Sequence, residues 1–93
     1  MHPQTLITRR GGLMNAEIGQ ELVALDVDGG HCFGFNRTAT TAWQLLEQPQ
    51  RFGNLVAQMI RIHAVEPATC AAELDELIAG METDGLVTLI FSQ

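Results

Sequence analysis

The spacing of hydrophobic residues changes at Asn36, and this change restricts the folds open to the chain more than any other feature. Upstream the period is two. Leu13 to Ile18 and Glu21 to Val27 read as strands separated by Gly19-Gln20, and the second alternates, with Val23, Leu25 and Val27 on one face. Asp28-Gly29-Gly30 follows, a tripeptide whose glycines accept the positive φ of a tight hairpin turn, and His31 to Phe35 reads as the returning strand. The pattern predicts a three-stranded antiparallel meander. Its last strand places Phe33 and Phe35 on one face and Cys32 and Gly34 on the other.

Downstream the period is that of a helix. Asn36 stands at an N-cap position ahead of Ala39, Ala42, Trp43 and Leu46, spaced i, i+3, i+4 and i+7, and Pro49 ends this first helix. A second stripe carries Phe52, Leu55, Val56, Met59, Ile60 and His63. Glu66-Pro67 opens a third helix with Leu74, Leu77, Ile78 and Met81 on its stripe, and Gly85 is the natural residue to end it. Leu86 to Phe91 closes the domain in extended form. Three strands followed by three helices predict an α+β fold of the winged helix-turn-helix type. Residues 1–12 read as an N-terminal arm hinged at Gly11-Gly12, and residues 13–93 as the domain.

Ninety-three residues make one domain, with nothing spare for an insertion that could build a deep catalytic cleft, so no enzyme is expected. The formal charge is −6, eleven carboxylates against five arginines, and there is no lysine. Affinity for nucleic acid or anionic lipid rests on neutralising phosphates, so neither is an expected partner. A basic or neutral peptide is the better electrostatic match. Two cysteines are too few for a disulfide scaffold, residues 1–12 lack a signal-peptide core, and Leu86 to Phe91 is too short to cross a bilayer. These features point to a soluble protein of the cytoplasm.

A winged helix is most often a DNA reader. Here the helix that would enter the major groove carries Glu73, Asp75, Glu76, Glu82 and Asp84 with no arginine, and no arginine or lysine follows Arg61. Phosphate would repel it. What remains is the edge of the sheet, where unpaired N–H and C=O groups of the last meander strand can accept an extended peptide.

The run Gly30-His31-Cys32-Phe33-Gly34-Phe35-Asn36, followed by Thr38-Ala39 and Ala42-Trp43-Gln44-Leu45-Leu46, resembles the strand-to-helix signature of PqqD-like proteins, the RiPP recognition elements. Leu74, Leu77-Ile78, Met81 and Gly85-Leu86 fall where that family places its last helix and the glycine-leucine that ends it. Two departures stand out: Cys32 occupies a position where an aromatic residue is frequent, and the aspartate-glycine usual between helices one and two in members serving quinone synthesis is missing. A free-standing chain of this length is similar to the leader-binding proteins of lasso-peptide biosynthesis.

That resemblance implies a partner, the leader peptide of a ribosomal precursor, gripped as an added strand and presented to a cysteine protease or another maturation enzyme. No cofactor is implied. Carried over residue by residue, it assigns the backbone ladder to His31, Cys32, Phe33, Gly34 and Phe35, and the helix side of the groove to Ala71, Leu74, Asp75 and Ile78. The alternatives are a PqqD-type peptide chaperone for a radical-enzyme pathway, a winged-helix transcriptional regulator and a structural subunit. His31 and Cys32 point to opposite strand faces, which argues against a nucleophile and base pair. His31, Cys32, His63 and Cys70 have ligand chemistry, but no two share a zinc spacing, and no metal site is expected.

Overall fold

The computed structural model describes residues 1–19 and 21–91. Its order is β1 (Leu6–Arg9), β2 (Met14–Ile18), β3 (Glu21–Asp26), β4 (His31–Phe35), α1 (Arg37–Leu45), β5 (Gln50–Arg51), α2 (Phe52–His63), α3 (Pro67–Thr83) and β6 (Val87–Ile90). The class is α+β, with two small antiparallel sheets and three helices.

The first sheet is the expected meander, in the order β2-β3-β4. Gly19 and Gly30 adopt positive φ, 67° and 70°, and supply the turn conformations that their positions require. The face turned to the helices differs from the one the alternation singled out. Leu22 and Ala24 of β3 join the core, whereas Leu25 is half-buried and Val27 lies exposed beyond the strand. Both faces of β3 are apolar, so periodicity marks the strand without saying which side is covered.

The second sheet, ordered β5-β1-β6, departs from expectation. Residues 1–12, read as an arm ahead of the domain, contribute its central strand. Leu6 to Arg9 pair with Val87 to Ile90 on one side, and Leu6 and Ile7 with Arg51 and Gln50 on the other. Ile7 is fully buried. Just before the strand, the Phe52 amide donates to the Thr5 carbonyl at 2.8 Å and the Gly53 amide to the Pro3 carbonyl at 2.9 Å. The beginning of the chain is thereby stitched to the start of α2.

The helices begin as the sequence predicts. Asn36 caps α1, its Oδ1 accepting from the Ala39 amide at 2.8 Å, and Glu66 caps α3 by accepting from the amides of Ala68 and Thr69. Gly85, at φ 76°, follows the last turn of α3 and lets the chain reverse into β6. The core gathers Leu22, Phe35, Trp43, Leu46, Leu55, Met59, Leu74, Ile78 and Leu86 between the meander and the helices.

Trp43 is held on several sides. Its indole Nε1 donates to Asn15 Oδ1 at 2.9 Å, Phe35 lies 5.3 Å away between ring centroids, and the Arg9 guanidinium sits 4.4 Å over the ring. The same guanidinium donates to the Trp43 carbonyl. Arg9 thus ties the second sheet to α1. No helix among the described residues is long and apolar enough to cross a membrane.

Candidate functional site

Among the described residues β4 pairs with β3 alone, so one of its edges is open. The register decides which backbone groups lie along it. Ile18 and Glu21 are cross-strand partners with a two-residue loop between them, and such a loop closes on a hydrogen-bonded pair. Because the pattern alternates, Leu22, Ala24 and Asp26 direct their backbone groups to β4, where they face Phe35, Phe33 and His31. The N–H and C=O groups of Cys32 and Gly34 are left pointing outward.

Across that edge lies α3, and between the two runs a groove of about 520 Å³. Cys32 to Asn36 form one wall, Glu76, Leu77, Gly80, Met81 and Asp84 the other, and Ala39 and Leu86 close the base. The volume is in the range that small ligands and peptide side chains occupy. Phe33, half-buried, stacks on His31 at 6.2 Å between centroids and offers apolar surface on the strand side. Leu77, half-buried, does so on the helix side, where Met81 is buried behind it.

The expected strand residues Cys32, Phe33, Gly34 and Phe35 line this groove, while His31 sits at its exposed end. The expected helix residues do not. Leu74 and Ile78 are 2% and 0% exposed and belong to the core. Asp75 turns away and pairs with the Met1 amino group at 2.6 Å, and Ala71 does not border the groove. The apolar stripe of α3 packs inward, as such stripes do, and the groove takes the neighbouring stripe of mixed character. One signal for that stripe is present in the sequence: a glycine in the middle of a helix, Gly80, costs about 1 kcal/mol relative to alanine and calls for a reason.

Glu76 and Asp84 bring two carboxylates to the groove, and among the described residues no arginine lines it. Among the described residues neither forms an ion pair. The remaining polar candidates are engaged elsewhere. His63 Nε2 lies 3.1 Å from Thr41 Oγ1, and Cys70 is buried at the start of α3, where desolvation, and then the nearby Glu73 charge, push its thiol above the ordinary range. A thiol so shifted is a core residue with little thiolate character. Cys32 is exposed on β4.

Fold and groove define a class, a small α+β domain in which a helix faces the open edge of a sheet across a cleft. The sequence matches the family described as coenzyme PQQ synthesis protein D (PqqD) over residues 21–87, and the chain belongs to this PqqD family of RiPP recognition elements. Its fold is similar to that of a solved structure, TbiB1 in complex with the TbiA(beta) leader peptide, with a TM-score of 0.80 at 21% identity over 92% of this chain and 99% of that one. No curated protein matches the sequence.

Proposed function

We propose that this protein is a non-catalytic recognition element that binds the leader peptide of a ribosomal precursor, specifically a lasso-peptide precursor, by adding it as a strand to β4. It then delivers the leader to a peptidase or another maturation enzyme in the cytoplasm. The observation that carries this reading is the outward direction of the Cys32 and Gly34 backbone groups along a groove walled by α3. The similarity to TbiB1, whose structure holds a leader peptide, supports it.

The energetics require both walls. Cys32 and Gly34 each offer one donor and one acceptor, and four bonds at about 1 kcal/mol net give roughly half of the ~8 kcal/mol that micromolar affinity needs. Apolar burial against Phe33 and Leu77 must supply the remainder and offset the cost of association and of ordering the peptide. Duplex DNA has no such match, since the exposed side of α3 carries carboxylates.

The family description favours a second reading, in which the same groove serves a PqqD-type peptide chaperone for a radical enzyme. The two readings differ in which precursor binds. The test is amide hydrogen exchange in the presence of lasso-precursor leader peptides, the TbiA(beta) leader among them. Protection of the Cys32 and Gly34 amides in the native chain, with protection of Cys32 lost in a folded Gly34→Pro variant, is the expected result, because proline at an outward position removes one donor and spares the β3 ladder. Unchanged exchange at both amides under saturating leader would show that the strand is not added here.

A further inference from the structure

Gly80 serves no need of the free protein. Its φ is not positive, so the backbone does not demand glycine, and a Cβ built there would meet nothing within 4 Å. The helix forgoes a side chain at a position where alanine would favour it. The missing side chain leaves a notch in the groove wall, between Leu77 and Met81. Glu76 stands one turn before the notch and Asp84 one turn after it, both lining the same groove and both outside any ion pair among the described residues.

The spacing of these three residues matches the repeat of a strand. Steps of four residues along a helix advance about 6 Å each, and a strand advances about 6.8 Å for every two residues, the interval at which its side chains return to one face. From the proposed strand addition, on which this inference rests, we infer that the groove selects leaders carrying a basic-x-apolar-x-basic pattern. A bulky apolar side chain enters the notch at Gly80, and a lysine or arginine two residues to either side meets Glu76 and Asp84.

The charges set the choice of occupant more than the strength of binding. Each exposed pair contributes about two- to fivefold at low salt and less as salt rises, while an acidic residue at either flank would face an unneutralised carboxylate. The notch discriminates by size, since an empty one leaves the half-buried Leu77 partly uncovered.

The experiment is display selection of random twelve-residue peptides on the intact chain, repeated on two variants whose fold is checked by circular dichroism. On the native chain the enriched peptides should show the basic-x-apolar-x-basic pattern. Gly80→Trp fills the notch from an open position and should lower their retention at least tenfold. Glu76→Lys combined with Asp84→Lys should turn the flanking preference from basic to acidic. Peptides that are lost on Gly80→Trp and protect the Cys32 and Gly34 amides, yet show no basic flanks and no reversal in the double lysine variant, would overturn this inference and leave strand addition standing. Peptides that bind Gly80→Trp as well as the native chain, or a selection that enriches none, would overturn this inference, and enriched peptides that leave the Cys32 and Gly34 amides unprotected would overturn strand addition as well.

Discussion

The two sheets are built in opposite ways. The β2-β3-β4 sheet is contiguous in sequence, and among the described residues it leaves the far edge of β4 unpaired. The β5-β1-β6 sheet draws its strands from the start, the middle and the end of the chain, and its central strand is covered on both sides. The local sheet carries the groove, and the non-local sheet fastens the scaffold around it. A binding edge requires a strand whose hydrogen bonds are deliberately incomplete, and such a strand holds its place only when the rest of the molecule is secured elsewhere.

The sharpest way to break this comparison is to weaken the fastening sheet. Ile7→Ala should cost about 2 to 5 kcal/mol, read as a lower urea midpoint, because its side chain is completely buried. Leu25→Ala, on the half-buried outer face of β3, should cost much less, and equal losses would mean the two sheets contribute alike. Next comes Arg9→Met, which removes the cation stacked on Trp43 and its bonds to the Trp43 carbonyl. A loss of about 1 to 2 kcal/mol with a shift in tryptophan emission is expected, and an unchanged spectrum would show that Arg9 does not hold the ring.

The groove side should respond in the other direction. Gly80→Ala should raise stability by up to about 1 kcal/mol in thermal or urea unfolding, since its Cβ enters open space on a helix. Destabilisation would reveal a neighbour at that position. The smallest effect concerns acid. The Thr69 amide, the Thr69 hydroxyl and the Ala68 amide hold the Glu66 carboxyl below its ordinary value of 4.5. Because the folded value is the depressed one, this contribution is complete above about pH 4.5 and fades as pH falls through the folded value. Glu66→Gln should lower stability slightly at neutral pH and flatten that part of the profile, so that the two proteins converge in acid.

The same contrast explains what could be read from residues alone. The meander, the three helices and the Asn36 and Gly85 boundaries follow from local periodicity and turn chemistry, each contained within a few residues. The second sheet leaves no such trace. β1 has four residues and β5 two, and Ile7 finds its partners Leu89 and Gln50 only when the chain has folded back. Gly11-Gly12 therefore looks like the hinge of an arm, although it joins two strands. The strand wall of the groove was legible because a strand edge follows from the meander. The helix wall was not, because Leu74 and Ile78 are the conspicuous apolar residues of α3 and for that reason lie in the core, while the groove falls to Glu76, Gly80 and Asp84.

The open edge of β4 also bears on how copies of this protein behave when crowded. An unpaired strand is a template for any other strand, including the same one on a second molecule. Here the groove beside it carries carboxylates on a chain whose formal charge is −6, so two copies approaching edge to edge meet mutual repulsion that a cationic peptide does not. That protection is electrostatic and therefore conditional. It weakens as salt screens the charges, so dilute, low-salt buffer is where the empty protein keeps its edge to itself.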